Sequence, residues 1–317
     1  MKKVCYIRMF APANANYGPD DSGTSYGYKL THHNVLVRKM LEKQGFEFFS
    51  CDELPPEKAD IVFCFDLSAD VRERIKLLPR RIKRVLQCYE TAVYAPLCHS
   101  VELLSSDEWD AVITWNRAYE ADHIFHYDIP LPGKSTLGSV PDNTWHDVGI
   151  NSKGVTVASY KDGDHRGFAP ARDVFYRKTA EAGFIDLYGK NWKIDPRKNI
   201  IGPTENKIVT ISQYPYSLII ENMLANGYVT EKLADSILAG VPAIYLGDFH
   251  NAARRFPGTF VPLKSIGRES FIKALQQLSS DYDILRANVL KCRECSDTWG
   301  DSYIAAMQKV FDKITAQ

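Results

Sequence analysis

The chain has 317 residues, 45% hydrophobic, 25% charged and 12% aromatic, a composition that excludes disordered, collagen-like and disulfide-stapled scaffolds. At roughly 100–200 residues per domain this length predicts two domains, each able to bury its own core. Lys plus Arg and Asp plus Glu both number 39, so no net field draws the chain to nucleic acid or to an anionic membrane. Residues 1–150 carry 21 acidic against 17 basic side chains, and residues 151–317 carry 18 against 22. That bias suits an anionic ligand on the second half.

The opening Met1 to Arg8 is too short an apolar stretch for a secretory signal, and no run approaches the roughly 18 residues of a membrane span. Seven scattered cysteines, Cys5, Cys51, Cys64, Cys88, Cys98, Cys292 and Cys295, predict reduced thiols and a cytoplasmic chain. Val4 to Met9 reads as a strand, followed by a Gly/Pro-rich loop ending near Lys29 and a helix from Leu30 to Gln44, stopped by Gly45. Apolar runs recur at Ile61 to Phe65, Val85 to Cys88 and Ala111 to Ile113, separated by helix-like segments such as Ala69 to Leu78. Strands alternating with helices predict a parallel α/β sheet.

Residues 131–153 are rich in turn formers and place a domain boundary there, giving domains of 1–150 and 151–317. The alternation resumes with strands at Val155 to Ser159, Phe184 to Tyr188, Ser217 to Ile220 and Ala243 to Leu246. Helices are expected at Ala171 to Ala182, Thr230 to Leu238 and over much of 267–316, the last crossing back to the first domain. Two such halves predict a central cleft, and ligands in these sheets bind beyond the carboxyl ends of the strands.

The most informative stretch runs from Tyr216 to Leu233 and closes with Gly240-Val241-Pro242-Ala243-Ile244-Tyr245-Leu246-Gly247. An apolar strand ends in Glu221-Asn222, a glycine turn follows, and Thr230 stands where an N-cap precedes Glu231 and Lys232. A helix N-terminus offers unpaired N–H groups and a positive dipole end that favour a phosphate, and Lys232 adds a full charge beside it. Glu231 is suited to accept hydrogen bonds from ribose hydroxyls. Read alone, the same residues describe, more simply, a capped helix with a solvated lysine.

The whole stretch resembles the sugar-nucleotide signature of the α1,3/4-fucosyltransferase family: an aromatic-rich strand, Glu-Asn, a short loop, Tyr-Val/Ile-Thr-Glu-Lys-Leu, then a Gly-x-x-Pro strand ending in glycine. The likeness covers roughly 35 residues in order, a far more specific pattern than a lone glycine motif. It implies an α/β fold of GT-B type, two Rossmann-like domains with acceptor side first and donor side second. It also implies that Asn222, Tyr228, Glu231 and Lys232 contact the GDP of GDP-fucose, with Lys232 on the diphosphate and Glu231 on the ribose. Tyr188, Glu221 and Thr230 would line the same donor cleft. Upstream, Pro170-Ala171-Arg172-Asp173-Val174-Phe175-Tyr176 is similar to the family's Ala-Arg-x-x-Tyr-Tyr helix start, and makes Arg172 a second phosphate clamp, since a guanidinium can bind two phosphate oxygens at once.

An inverting transfer needs one side chain to take the acceptor hydroxyl's proton while cations hold the diphosphate. The family is similar in placing a glutamate, usually in Glu-Ser-Pro, after a first-domain strand; Glu90 stands there, followed by Thr91-Ala92 instead of Ser-Pro. Trp115-Asn116-Arg117 through Asp122 loosely resembles a further family stretch and nominates Arg117 and Asp122 for the acceptor side. Asp162-Gly163-Asp164 reads as a polar turn rather than a metal site, Cys292 and Cys295 lack the second pair that zinc needs, and adjacent His32 and His33 point to different sides of a helix.

The resemblance implies transfer of L-fucose from GDP-β-L-fucose to a glycan hydroxyl, α1,3 or α1,4, by a shorter, bacterial-type enzyme in the cytoplasm or at the inner face of the membrane. No metal is expected to be obligatory, although Mg or Mn could stimulate, and oligomers are compatible with the sequence. Two alternatives stay open: a related transferase using another nucleotide sugar or an unusual acceptor such as a modified nucleobase, and a non-catalytic sugar-nucleotide-binding protein.

Overall fold

The computed structural model describes residues 1–9, 32–137, 145, 148–160 and 163–316. The loop expected over 11–28 and Asp162 of the Asp-Gly-Asp turn lie outside the described residues. The chain divides into two compact units, 1–9, 32–130 and 300–316 forming the first and 131–299 the second. The division falls at the start of the turn-rich stretch, so residues 131–150 group with the second unit.

The first unit holds β1 (Lys2–Arg8), α1 (His32–Glu42), β2 (Phe46–Ser50), β3 (Ile61–Phe65), α2 (Ala69–Lys76), β4 (Lys83–Cys88), α3 (Val101–Leu104), β5 (Ala111–Thr114) and β6 (Ile124–His126). Its six strands lie in the order β2-β1-β3-β4-β5-β6, all parallel. Every residue of β3 and β5 is buried, as expected of parallel strands covered on both faces, where continuous apolar runs replace alternation. The order reverses between β1 and β3. Their carboxyl ends, Arg8 and Phe65, are paired in register, and Asp66 follows directly.

The second unit contains β7 (Gly154–Val157), α4 (Ala169–Glu181), β8 (Ile185–Tyr188), β9 (Ile200–Gly202), α5 (Lys207–Ser212), β10 (Ser217–Ile220), α6 (Glu231–Leu238), β11 (Ala243–Leu246), α7 (Phe249–Arg255), β12 (Phe260–Pro262) and α8 (Arg268–Glu294). Its parallel sheet runs β12-β11-β10-β7-β8-β9, a doubly wound order that reverses between β7 and β10. Those two strands pair at a single position, Ser217 with Val155, and diverge beyond it. A core of Phe175, Tyr176, Leu218, Ile220, Ile244, Leu246, Phe271, Leu275 and Leu278 fixes α4 and α8 against the sheet.

The last helix, α9 (Asp301–Thr315), belongs to the first unit. It buries Tyr303, Met307, Val310, Phe311 and Ile314 at helical spacing, packs on α1, β5 and β6, and sets Phe311 edge-on to Phe46 at 5.0 Å. Tyr303 anchors it, its hydroxyl lying 3.2 Å from Gln87 Oε1 of β4. Among the described residues, no helix is long and apolar enough to cross a membrane.

Candidate functional site

In the second unit the reversal point carries the charged residues. Where β7 and β10 diverge, Thr156 Oγ1 donates across the gap to the Leu218 carbonyl at 2.8 Å. A crevice of about 30 Å³ opens there, lined by Arg172 of α4, Lys207 of α5 and Lys232 of α6. Ligands of doubly wound sheets settle at this kind of crevice, beyond the carboxyl ends of the strands.

Glu221, immediately after β10, is fully buried, and its carboxylate organises the turn into α6. Thr230 gives it both its backbone N–H (3.0 Å) and its hydroxyl (2.8 Å to Oε2), and the Tyr245 hydroxyl approaches at 3.3 Å. Lys232 Nζ pairs with Glu221 Oε2 at 3.2 Å and reaches Thr230 Oγ1 at 3.0 Å. Burial opposes the charge on Lys232, but Glu221 and Glu231 outweigh it and hold the ammonium well above its ordinary value. Glu231 keeps 36% of its side chain exposed; burial pushes its carboxyl up, and Lys232 and Lys207 overcome that to leave it below the usual range. Thr230 is the N-cap of α6, its hydroxyl oxygen accepting from the Lys232 N–H at 3.4 Å. Glu221 and Thr230 therefore lie beneath the site and hold it, while Glu231 and Lys232 reach its surface.

Arg172 is buried in the first turn of α4, with Nε donating to Asp173 (3.0 Å) and Nη1 donating to Asn222 Oδ1 (2.8 Å). Asn222 also accepts at its carbonyl from the Phe168 N–H (2.8 Å), and its amide lies 3.5 Å from the Tyr228 hydroxyl. Arg172, Asn222 and Tyr228 thus form one connected set, with Arg172 and Asn222 50 residues apart in sequence. The glycine turn is fixed from α7: Gly227 N–H donates to Asp248 Oδ2 (2.7 Å) and Arg255 Nη1 to the Val229 carbonyl (3.2 Å). Gly227 takes φ 94°, a left-handed conformation that glycine adopts without strain.

Tyr188 is directed elsewhere: its hydroxyl lies 3.1 Å from that of Tyr214, and it packs against the apolar cluster that includes Ile208, Ile211 and Leu238. The sequence reading passed over Lys207, Tyr245 and Asp248. Lys207 stands at the start of α5 behind the Asn206 cap and pairs with the fully buried Asp235. Its only sequence signal was a lysine after a capping residue, which marks helix starts of every kind.

In the first unit, Glu90 follows β4 and is half-buried. Each backbone polar group from the Cys88 carbonyl to the Glu90 carbonyl meets a side chain. Tyr127 donates to the Cys88 carbonyl (2.9 Å), Trp115 Nε1 to the Tyr89 carbonyl (2.8 Å), and His99 Nε2 lies 2.8 Å from the Glu90 carbonyl. Asp66 accepts the N–H groups of Tyr89 (2.8 Å) and Glu90 (3.0 Å). Burial pushes His99 below its usual value, and the neutral ring must carry its proton on Nε2 to donate here.

Arg117 and Asp122, both nominated for the acceptor side, lie at opposite edges of the first sheet. Arg117 leaves the carboxyl end of β5 and meets Asp128 (2.8 Å), just past the carboxyl end of the neighbouring β6. Asp122 precedes β6, at the opposite edge of the sheet, exposed, with its carbonyl accepting from Lys313 (2.6 Å). Asp164 of the polar turn pairs with Arg166 at 2.9 Å. Among the described residues, no cluster of three His, Cys, Asp or Glu is arranged to hold a metal.

No family model matches the chain, and no curated protein does. Among solved structures, an α1,3-fucosyltransferase matches with a TM-score of 0.54 at 16% identity, over 91% of this chain and 81% of its own. An α1,3-fucosyltransferase structure with GDP-fucose matches at 0.55 and 15%, over 99% and 89%. An α-glucosyltransferase in complex with UDP and a 13-mer DNA matches at 0.52 and 11%, over 99% and 100%, and the sucrose-phosphate synthase of Thermosynechococcus elongatus at 0.59 and 10%, over all of both chains. The fold is the α/β GT-B type shared by these glycosyltransferases.

Proposed function

We propose that this chain is an inverting glycosyltransferase that moves L-fucose from GDP-β-L-fucose to a hydroxyl of a glycan acceptor, forming an α1,3 or α1,4 linkage. The observation that carries the reading is the meeting of Arg172, Asn222, Tyr228 and Lys232 around one sheet reversal, from two separate sequence motifs. Arg172 and Lys232, with the N-terminal N–H groups of α6, hold the diphosphate, and Glu231 accepts from the ribose hydroxyls. The acceptor oxygen bonds to the anomeric carbon as the bond from that carbon to the phosphate oxygen breaks. The leaving electron pair stays on GDP, and the hydroxyl proton passes to Glu90. With leaving-group charge met by built-in cations, a divalent ion such as Mg or Mn stimulates rather than being obligatory. The place of action is the cytoplasm or the inner face of its membrane, where nucleotide sugars meet growing glycans.

The test is mass-spectrometric detection of product from GDP-fucose and a panel of oligosaccharide acceptors, with thermal shifts against GDP, UDP and dTDP sugars. A deoxyhexose added to any acceptor, lost in Glu90→Gln with GDP binding retained, is the expected result. Binding of UDP sugars without GDP binding would overturn the donor, and unchanged turnover in Glu90→Gln would remove Glu90 from the reaction.

A further inference from the structure

Asp66 sits where the first sheet reverses its strand order, one residue past β3, and it is unusual in three respects. Its carboxylate is 2% exposed. Its φ is 57°, a left-handed conformation that non-glycine residues adopt at a cost and that favours Asp and Asn among them. Both oxygens face backbone N–H groups, Oδ1 accepting from Tyr89 (2.8 Å) and Glu90 (3.0 Å), with Oδ2 3.2 Å from the same Glu90 N–H. The Asp66 N–H in turn donates to the Gln87 carbonyl of β4 at 2.8 Å, so the residue is clamped to the strand that leads into Glu90.

We propose that Asp66 is a positioning residue for the Glu90 segment: as an ionised carboxylate it holds the Tyr89 and Glu90 amides and so sets where the Glu90 side chain is presented. The inference rests on the reading of Glu90 as the base. The geometry is that of an anchor, because a strained backbone and a buried charge both cost stability and here converge on two consecutive peptide groups. The carbonyls of residues 88–90 are met by neutral donors, Tyr127, Trp115 and His99. Asp66 supplies the acceptor that no neutral side chain duplicates with two oxygens.

The anchor is sensitive to pH. Burial raises the Asp66 carboxyl to about 7, against the pull of the Tyr89 and Glu90 N–H groups and the Cys98 thiol and with the Glu90 charge adding to the rise. The groups facing it are Arg8 from β1, Tyr89 and Glu90 after β4, Cys98 before α3, and Tyr127 after β6. Protonation converts one oxygen into a donor aimed at N–H groups, which loosens the hold. Wild-type kcat is therefore expected to fall as pH drops below about 7, well above the range in which an ordinary carboxylate base titrates.

Asp66→Asn keeps the shape and the left-handed preference and removes only the charge; Asp66→Gly keeps the backbone freedom and removes the acceptor. Expected are a fall in kcat of tenfold or more at pH 8 for Asp66→Asn and a larger fall for Asp66→Gly, with the KM for GDP-fucose and the GDP affinity unchanged. What activity remains in Asp66→Asn should be flat between pH 6 and 8. Amide hydrogen exchange at pH 8 gives a readout that needs no substrate: protection of Tyr89 and Glu90 should drop at least tenfold in Asp66→Gly. Unchanged protection in Asp66→Gly, or wild-type kcat and pH profile in Asp66→Asn where Glu90→Gln is inactive, would overturn the proposal. If wild-type protein transfers nothing, the transferase reading fails, and exchange alone still decides whether Asp66 holds the segment.

Discussion

Glu221→Gln tests the assignment of Glu221 as the buried counter-charge of Lys232. The substitution keeps the shape and one accepting oxygen but replaces the other with an amide N–H₂ aimed at the Lys232 ammonium or the Thr230 donors. Of the two carboxylates paired with it, Lys232 keeps Glu231, at 3.6 Å and part-exposed. Removing one partner of a buried pair costs roughly 3–5 kcal/mol; because 21% of the Lys232 side chain reaches solvent, the low end applies, about 3 kcal/mol. For a unit of this size, at about 2–4 °C per kcal/mol, the transition of the second unit should fall by roughly 6–12 °C in calorimetry. Lys232→Met on the same background removes the stranded charge, so the double variant should recover at least half of that loss, a coupling of about 1.5 kcal/mol or more in the mutant cycle. The same Lys232→Met should weaken GDP binding by about 10- to 100-fold, the worth of a charge-assisted hydrogen bond. A Glu221→Gln transition within 1 °C of wild type, or additive variants, would refute the argument.

Arg172→Lys should raise the Kd for GDP by about tenfold or more in isothermal titration, since an ammonium cannot hold Asp173, Asn222 and a phosphate in one plane; an unchanged Kd would remove Arg172 from the site. Gly247→Ala places a Cβ 2.1 Å from the Tyr245 hydroxyl, and the buried ring must shift off Glu221, so urea unfolding should show a loss of about 1–3 kcal/mol. Asp66 predicts a pH dependence of stability. Its folded value of about 7 lies above the unfolded carboxylate value, so between about pH 4 and 7 the native state binds more protons than the unfolded chain and stability falls as pH rises, by up to about 4 kcal/mol. Asp66→Asn abolishes that slope, and should melt no lower than wild type at pH 8 while relatively less stable at pH 5; a variant with the wild-type slope would place the titration elsewhere.

The eight strands legible as apolar runs, β1, β3, β4 and β5 in the first sheet and β7, β8, β10 and β11 in the second, are the interior strands of their sheets. The four missed, β2, β6, β9 and β12, are the edges. An interior strand of a parallel sheet is covered on both faces and tends to a near-continuous apolar run, as in Ile61–Phe65. An edge strand needs only partial cover: β6 is half-buried at all three residues, and β9 and β12 have three residues each. So short a segment carries no period to detect.

The two sites differ in legibility for a related reason. The residues around β10 and α6 lie within one stretch, because a strand end, a turn and a helix start must be consecutive to deliver Glu221, Thr230 and Lys232 to one point, and consecutive residues make a pattern. Arg172 enters through its own helix start, a second local pattern. The Glu90 segment is held instead by Asp66, His99, Trp115 and Tyr127, one residue from each of four places. Each is an ordinary residue for its position: an Asp after a strand, an aromatic in a core, a His in a turn. What unites Asp66, Trp115 and Tyr127 is parallel pairing, which sets the carboxyl ends of β3, β4, β5 and β6 side by side, and His99 joins them from the connection after β4. A sheet therefore assembles at its carboxyl edge a constellation with no sequence spacing of its own, which is why Glu90 was reachable only through family likeness and Asp66 only through the fold.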